Sequence, residues 1–418
     1  MSEPANVAVE LAILEVAFGG KGIGRLDGKV CFVPGVLTGE RVRAAIVKDR
    51  KDYFDAVPLA ILDASPNRVE PACPLACRLF QISNLRFDMH CPGCAYQHAT
   101  YEEEIGLKQT QFRSLLARNA CCDTTAVLAP VPSTQTLGYR NKMALHAQRD
   151  GKEVRFGYFA EDNTTVIDVP ACPLAAPPIN ALLSELRAKP GFLGGLRDGM
   201  TVTFRWTERD GAVWWRGRAK EKDIWLLEAS AIGPLSVPRN SFFQVNPAVA
   251  RLLVRRVADR VEAQRPDAAV DLFCGIGLFA IAAALRGVPR VTGVDEDEAG
   301  IAAARHNAKQ RRLDHVEWMS ATAEHAIARL CERPPQGKIT LILDPPRTGL
   351  GPALIRALAR LAPAHILYVS CAVDTLSRDL KGLKEAGYTV RQSQLFDMFP
   401  RTAHFESLTE LTRDRRGS

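Results

Sequence analysis

Three apolar runs in the C-terminal half of the chain continue into polar residues that could do chemistry. They span 341–350, 366–380 and 396–408, and their polar residues include Asp344, Cys371 and Glu406. In an open α/β sheet, ligands bind at the carboxyl ends of the strands, so we expect these side chains to converge. A thiol beside two carboxyl groups would suit nucleophilic catalysis assisted by an acid or base.

Each of these residues also has a purely structural interpretation. Cys371 follows an apolar run and could be a buried core residue. Glu406 could be an ion-pair partner, and His404 is an alternative base whose ordinary pKa lies closer to neutrality. Asp344 precedes two prolines and could serve as a capping residue.

A second motif, residues 268–285, combines an apolar strand, a glycine-containing turn and an Ala-rich helix. Gly275 and Gly277 would let the backbone turn tightly and let a ligand approach closely. Asp271 opens the motif, and Asp295 lies where an acid can accept hydrogen bonds from ribose hydroxyls. Such a pattern is typical of class I S-adenosylmethionine-dependent methyltransferases. A nicotinamide- or flavin-binding unit is the alternative, although its third glycine is replaced by Ala280.

Cysteine is abundant, with eleven in the chain. We see no secretory signal at the N-terminus, so a disulfide framework is not expected and the protein is expected in the cytoplasm. Five cysteines could share one site: Cys73, Cys77, Cys91, Cys94 and Cys172. Four thiolates can hold a 4Fe–4S cluster, and a four-cysteine zinc site is the main alternative. We assign the cysteines without interpretable spacing to packing: Cys31, Cys121, Cys122, Cys274 and Cys331.

The elements that must position these residues change along the chain. Residues 8–62 alternate as short strands, enough for a five-stranded barrel of the oligonucleotide-binding type. Residues 101–119 have helical spacing, and 123–235 again predict strands and turns. From about residue 240, strands alternate with helices, which predicts an α/β domain with a parallel sheet covered on both faces. We therefore expect three domains: a barrel at 1–64, a central mostly-β domain at 65–238 and a Rossmann-like domain at 239–418.

The chain resembles a known family over nearly its whole length. Gly19–Ala56 resembles the TRAM domain, a small RNA-binding barrel. The whole resembles RNA uridine-5 methyltransferases that carry an iron–sulfur cluster and often a TRAM domain. The further matching motifs are the cysteine pattern, GYRNKM, SFFQVN, DLFCGIGLF, LDPPRTG, SCAVDTLSRDL and FPRTAHFES.

The resemblance implies a role for each site residue. Cys371 would add to carbon 6 of uracil, Glu406 would remove the proton from carbon 5, and Asp344 would hydrogen-bond the polar edge of the base. Arg347 and Arg378 are cations that could lower the pKa of Cys371. The implied S-adenosylmethionine contacts are Gln244, Asp271, Phe273, Gly275, Gly277, Asp295, Thr322 and Asp344. Thr322 stands where an adenine-contacting acid is usual, which leaves that contact open.

The resemblance also implies a 4Fe–4S cluster held by Cys73, Cys91, Cys94 and Cys172. The spacing departs from the family pattern before Cys91, and Cys77 could replace Cys73 as the first ligand. We expect a structural or RNA-folding role for such a cluster, because the uridine chemistry moves no electron.

Family members with a TRAM domain favour 23S rRNA as the substrate, with tRNA as the alternative. A paired or stacked uridine must be flipped out to reach the thiol. The central tryptophans (Trp206, Trp214, Trp215 and Trp225) could stack on bases or simply pack in hairpins. The net charge of +7 suits a polyanionic partner without requiring one.

Two other classes of function stay open. One is a methyltransferase acting on a small molecule or a protein, and the other is a non-catalytic RNA-binding assembly factor. The chain has no apolar run long enough to cross a membrane. A monomer without a membrane partner is expected.

Overall fold

A computed structural model describes residues 8–76, 91–120, 123–151, 153–219 and 225–413, without the side chains of residues 119 and 120. Within these ranges, no helix is both long and apolar enough to cross a membrane.

The N-terminal segment forms a six-stranded sheet around its own small core. Its strands are β1 (Ala8–Ala12), β2 (Glu15–Val16), β3 (Lys21–Leu26), β4 (Lys29–Pro34), β5 (Arg41–Asp49) and β6 (Tyr53–Asp63). They lie in the order β1-β5-β6-β4-β3-β2, and only β4 and β6 pair in parallel. Alternate residues of β5, including Val42 and Ala44, enter the core. The sequence predicted five strands, and the structure has six, the shortest of which is the two-residue β2.

The long helix predicted from apolar spacing is α1 (Tyr101–Ala120). Its buried Phe112 and Leu116 pack in the same apolar cluster as Leu272 and Leu343 of the C-terminal sheet. The helix therefore belongs physically to the C-terminal core, although some 120 residues of chain separate it from that domain's first helix. The domain division at 1–64, 65–238 and 239–418 stays a prediction.

The central region contains a five-stranded antiparallel sheet in the order β11-β10-β7-β8-β9. Its elements are β7 (Lys142–Asp150), β8 (Glu153–Phe159), β9 (Val166–Asp168), α2 (Pro177–Ala188), β10 (Thr201–Thr207) and β11 (Gly211–Arg216). A separate hairpin joins β12 (Trp225–Glu228) to β13 (Leu235–Pro238), and Thr124–Ala126 form a 3₁₀ turn before β7.

In this region, the structure adds a helix that the sequence did not predict and shows where the tryptophans lie. Helix α2 was missed, although its buried Ile179, Leu183 and Leu186 follow helical spacing after a Pro-Pro start. The tryptophans pack against the protein cores: Trp215 is buried, and Trp206, Trp214 and Trp225 are half-buried. The ring of Trp214 meets Phe192 edge-on at 5.5 Å between centroids, and that of Trp225 meets His306 at 4.9 Å. These contacts favour packing over base stacking as their role.

The C-terminal domain is a seven-stranded sheet with helices on both faces. Its elements are α3 (Pro247–Gln264), β14 (Ala268–Leu272), α4 (Leu278–Leu285), β15 (Val291–Asp295), α5 (Glu298–Lys309), β16 (Val316–Ser320), α6 (Ala323–Glu332), β17 (Ile339–Leu343), α7 (Pro352–Leu361), β18 (His365–Ser370), α8 (Val373–Glu385), β19 (Tyr388–Phe396) and β20 (Glu406–Arg413). The order β16-β15-β14-β17-β18-β20-β19 reverses direction between β14 and β17, which opens a crevice at the carboxyl ends of these two strands.

The sheet is parallel from β16 to β18, as the sequence predicted, but antiparallel at one edge. Strand β20 runs antiparallel to both β18 and β19. The connection between β19 and β20 spans only 397–405, shorter than the dozen or more residues that a parallel crossover requires. The chain therefore reverses direction between β19 and β20, and this reversal places Glu406 beside the carboxyl end of β18.

Packing of α1 against the C-terminal sheet predicts a large stability effect at one residue. We expect Phe112→Ala to lower the free energy of unfolding by about 3–5 kcal/mol, because a fully buried ring leaves a cavity. Urea unfolding of the full chain measures the change. The control Phe242→Ala, at a residue 68% exposed, should stay within about 0.5 kcal/mol. Equal effects in the two variants would contradict the placement of α1 in this core.

Candidate active site

The turn after β14 has a backbone shape that few residues adopt. Phe273, Gly275 and Gly277 all have positive φ, at 66°, 51° and 86°. The Asp295 carboxylate holds the turn by accepting hydrogen bonds from the N–H groups of Gly275 and Asp297, at 2.7 and 2.8 Å. Strain of this kind at a non-glycine residue is often found at ligand sites.

Gly275 and Gly277 of this turn have different surroundings. A Cβ built on Gly275 would meet no atom within 4 Å, so open space lies beside that backbone. A Cβ on Gly277 would lie 2.5 Å from the ring of Trp318. Ligand approach therefore explains Gly275, whereas packing against Trp318 explains Gly277, a contact that the sequence did not reveal.

Two buried side-chain oxygens of the expected cofactor contacts have no hydrogen-bond partner among the described residues. One is Oδ1 of Asp271, whose other oxygen accepts from the Ala280 N–H at 2.7 Å, and the second is Oε1 of Gln244. Burial raises the pKa of Asp271 well above its usual value. Buried acceptors left without partners destabilise a protein, so a ligand that donates to them would be favoured.

Thr322, which stands at the expected adenine-contacting position, caps a helix in the structure. Thr322 caps α6, its hydroxyl accepting from the His325 N–H at 3.2 Å. The unpaired acceptors, the open side of Gly275 and the acid at the end of β15 together fit an adenosyl ligand. The Thr322 hydroxyl already accepts a hydrogen bond from within α6, so it is not one of these unpaired acceptors.

The thiol and the expected base meet across two antiparallel strands. Ser370 pairs with Ser407 at the end of the β18–β20 ladder. Cys371 follows Ser370 and Glu406 precedes Ser407, so both lie at this end of the ladder, and the charge of Glu406 acts on the thiol. Both residues lie at the carboxyl end of β18, as the sequence predicted.

The environment of Glu406 favours its protonated form. The side chain is buried, and Oε2 has no hydrogen-bond partner within the described part of the chain. Burial and the nearby Asp344 raise its pKa well above the usual value, while Arg347 acts in the opposite direction. A carboxylate with a raised pKa is a stronger base than an ordinary glutamate, which suits removal of a proton.

The thiol of Cys371 is held mainly in its protonated form by the same charges. Burial, Glu406 and Asp344 raise its pKa to about 11, and a hydrogen bond and positive charge from Arg347 oppose them. Arg347 therefore acts as the sequence suggested. Arg378 instead bonds to Asp379 and to the Thr348 carbonyl, each at 2.8 Å.

Asp344 completes the cluster from β17. Its N–H reaches the Leu272 carbonyl at 3.4 Å, which brings it to the end of β14. Burial and the charge of Asp295 raise the pKa of Asp344 to about 7. The loop after it is held by Asp379, whose Oδ2 accepts from the Leu350 N–H at 2.7 Å and the Tyr368 hydroxyl at 2.8 Å. Neither Asp379 nor Tyr368 was found by sequence reasoning.

His404, the alternative base, is exposed. Its pKa is lowered by partial desolvation and by the positive charges of Arg347, Lys108 and Arg140. The buried Glu406 is therefore the better placed of the two candidate bases.

Four cysteines line one small cavity away from the thiol at residue 371: Cys73, Cys91, Cys94 and Cys172. The other lining residues are mostly apolar, and the amide of Gln97 ties the site together. It accepts from the Cys73 N–H at 2.9 Å and donates to the Cys94 sulfur at 3.2 Å. Burial, with Cys172 and Cys73 nearby, raises the pKa of Cys91 to about 11. Cys77, the alternative first ligand, lies outside the described residues, as do Cys121 and Cys122.

The four thiols share a cavity, but the structure does not arrange them as a metal site. Among the described residues, no group of His, Cys, Asp or Glu is placed so that it could hold a metal ion. Four thiolates are nevertheless the ligand set that a zinc ion or a 4Fe–4S cluster takes.

The fold and this site define a class I S-adenosylmethionine-dependent methyltransferase. The sequence profile described as tRNA (Uracil-5-)-methyltransferase matches residues 235–414, and the TRAM domain profile matches 8–59. The 23S rRNA (uracil(1939)-C(5))-methyltransferase RlmD of Marinomonas sp. is 30% identical, over 94% of this chain and 92% of its own length. An uncharacterized RNA methyltransferase of Synechocystis sp. is 29% identical over 95% and 94%.

A solved structure has the same architecture throughout. The tRNA (uracil-54, C5)-methyltransferase of Pyrococcus abyssi, in complex with S-adenosyl-L-homocysteine, matches with a TM-score of 0.70. It is 23% identical and covers 96% of this chain and 100% of its own. The chain belongs to the RNA uracil-5-methyltransferase family, with an N-terminal TRAM domain and S-adenosylmethionine as methyl donor. The predicted fold class is confirmed.

The unpaired Gln244 oxygen predicts a loss of cofactor affinity on truncation. We expect Gln244→Ala to raise the Kd for S-adenosylhomocysteine about tenfold, equal to about 1.4 kcal/mol and typical of one lost hydrogen bond. Isothermal titration calorimetry measures it. Gln394→Ala is the matched control, because Oε1 of Gln394 is likewise buried without a described partner, but on β19. A Kd unchanged in Gln244→Ala would exclude this contact.

Proposed function

We propose that this protein methylates carbon 5 of a uridine in 23S rRNA through a covalent adduct on Cys371. The observation that carries the proposal is the place of Cys371 at the end of β18, where Ser370 pairs with Ser407 of β20. The charges of Glu406, Asp344 and Arg347 all act on its thiol there. The choice of 23S rRNA is supported by full-length relatives at 30% identity whose names specify that substrate.

Carbon 5 of uracil is a poor nucleophile until a group adds to carbon 6. The Cys371 sulfur forms a bond to carbon 6, and the ring electrons shift to give an enolate that is nucleophilic at carbon 5. The thiol must lose its proton first, and the cationic Arg347 favours that loss. S-adenosylmethionine supplies the methyl group that becomes bonded to carbon 5.

The second half of the reaction restores the ring. Glu406 takes the proton from carbon 5, the electron pair re-forms the 5,6 double bond, and the carbon–sulfur bond breaks to expel the Cys371 thiolate. Glu406 must be ionised to act, and a cationic ligand beside Glu406 and Asp344 would lower the pKa of both carboxyls. Binding of the methyl donor thus favours the charged form of the base.

The remaining residues bind and orient. We assign the polar edge of uracil to Asp344, whose pKa of about 7 lets it donate or accept near neutrality. Asp295 would accept from ribose hydroxyls, and Gln244 and Asp271 offer unpaired oxygens to the rest of the cofactor. Phe273, Gly275 and Gly277 shape the turn around it, and Thr322 holds the start of α6.

RNA recognition adds two requirements. A uridine must leave its stack for Cys371 to reach carbon 6, so a loop or an otherwise unpaired nucleotide is the natural target. The TRAM domain extends the contact surface beyond the methyltransferase crevice, which suits a large structured RNA.

We further propose that Cys73, Cys91, Cys94 and Cys172 hold a 4Fe–4S cluster. The support is the common cavity that these four cysteines line. Such a cluster would neutralise thiolates that burial otherwise disfavours and would fix the loops that carry them. No step of the uridine chemistry passes through it.

Nucleoside mass spectrometry of separately purified 23S rRNA and tRNA tests the reaction and its target. In a strain lacking the gene, we expect wild type to restore 5-methyluridine in 23S rRNA and Cys371→Ala to restore none. Restoration in tRNA alone would contradict the target. No change in either RNA would contradict the uridine-5 reaction and favour a small-molecule methyltransferase or a non-catalytic factor.

Glu406→Gln separates the two halves of the reaction. We expect this variant to form the adduct and transfer the methyl group but to release product slowly, so a protein–RNA adduct accumulates on denaturing gels. Cys371→Ala is the control that forms no adduct. If Glu406→Gln released methylated RNA at the wild-type rate, Glu406 would not be the base, and His404 would be the next candidate.

Metal analysis of anaerobically purified protein tests the cluster. We expect about four irons per wild-type chain, and loss of iron and of visible absorption in Cys91→Ser. Cys331→Ser, outside the cavity, should keep both. Zinc in place of iron would refute the cluster.

A further inference from the structure

The segment between β19 and β20 touches both the cysteine cavity and the catalytic edge, and one residue makes most of these contacts. Arg401 lies five positions before Glu406 and has φ of 68°, a left-handed conformation that is uncommon for a side-chain-bearing residue. A backbone in this state persists only where its surroundings hold it.

The backbone of Arg401 binds the cysteine loop directly. Its carbonyl accepts hydrogen bonds from the N–H groups of Ala95 and Tyr96, at 2.9 and 3.1 Å. These two residues follow Cys94 immediately in the chain. Displacement of the Cys91–Cys94 loop would therefore act on Arg401 without any intervening residue.

The rest of Arg401 is held by α1 and by Ala99, two residues before the helix begins. Its N–H donates to Oε1 of Glu104 at 2.6 Å, and its guanidinium donates to the Ala99 carbonyl at 2.8 Å. The guanidinium also lies 3.4 Å from Oε2 of Glu104 and over the ring of Tyr101. Arg401 is thus fixed by its carbonyl, its amide and its side chain together.

A buried ion network completes the frame around this segment. The Lys108 ammonium lies 2.7 Å from both Glu104 and Asp397 and 3.2 Å from the Phe399 carbonyl, with Lys108 and both carboxylates fully buried. Tyr101 donates to the second Asp397 oxygen at 2.7 Å. These contacts fix Asp397 and Phe399 at the start of the segment. The contacts of Arg401 fix the backbone that follows them.

The path from Arg401 to the base is short and ordered. The Thr402 hydroxyl bridges the Phe399 carbonyl and the His404 N–H, at 2.9 and 3.2 Å. Phe405 is buried against Phe112 of α1, and Glu406 then enters β20.

We infer that Arg401 is a positioning residue that ties the four-cysteine loop to the segment carrying His404 and Glu406. This inference rests on the proposed cluster: a filled cysteine cavity holds residues 91–96 in place, and through Arg401 it holds the catalytic base opposite Cys371. The cluster thereby acts on base placement while taking no part in electron transfer.

Hydrogen–deuterium exchange of the full chain, with iron and after chelation, tests this connection. In wild type, we expect iron removal to raise exchange in peptides covering 397–406 severalfold. Arg401→Gly accepts the left-handed backbone but removes the guanidinium contacts. It should exchange faster with iron present and change little on chelation.

Arg265→Gly is the matched control, because Arg265 also has positive φ, at 45°, but is exposed at the end of α3. It should behave as wild type in the 397–406 peptides. Equal responses of Arg401→Gly and wild type to chelation would overturn the inference, as would no response in wild type. A wild-type chain that binds no iron would overturn the cluster itself, a result that metal analysis shows before any exchange is measured.

Kinetics distinguish positioning from a general loss of folded enzyme. Active sites are first counted with RNA containing 5-fluorouridine, whose fluorine cannot leave as a proton and so traps the adduct whatever the state of the base. Per active site, we expect Arg401→Gly to lower kcat about tenfold with adduct accumulation, leave the KM for cofactor unchanged, and be partly rescued in Arg401→Lys. A fall in active-site number with unchanged kcat per site would indicate a merely structural role.

Discussion

The antiparallel pairing of β20 with β18 is the constraint on which the catalytic arrangement depends. The ladder carries Glu406 back to the strand end that bears Cys371. A shift of the register by one residue would turn Glu406 to the opposite face of the sheet, away from Cys371, and leave the proposed nucleophile without its proposed base. The side chains of β18 are buried on both faces, so its neighbours are strongly specified.

Several carboxyl groups are buried around Cys371 and Glu406. Asp271, Asp344 and Glu406 all have raised pKa values because burial disfavours their charged forms, and neighbouring carboxylates add to the effect. A site of this kind is poised to receive positive charge. Two of these carboxyls, Asp344 and Glu406, also raise the pKa of Cys371, so a cation bound beside them would lower the pKa of the thiol as well.

Much of this could be predicted from the chain because the decisive residues sit in short local patterns. The glycine turn, the strand-end acid and the motifs around Asp344, Cys371 and Glu406 each lie within a few residues of a strand, and sheet topology alone brings strand ends together. What escaped prediction depends on contacts distant in sequence. Trp318 explains Gly277, Asp379 holds the loop after Asp344, and Thr322 caps a helix. The reversal of β20 also escaped, because alternation of strands and helices carries no sign of strand direction at an edge.

The placement of α1 has a consequence for biosynthesis. Phe112 and Leu116 leave the ribosome about 150 residues before the first strand of the sheet that covers them, a delay of roughly 10–30 s at ordinary elongation rates. During that interval the apolar face of the helix has no native partner from its own sheet. The last strand, β20, completes the sheet only when nearly the whole chain has been made. The sheet of the methyltransferase domain can therefore be completed only when translation has almost ended, and until then the apolar face of α1 lacks its native cover.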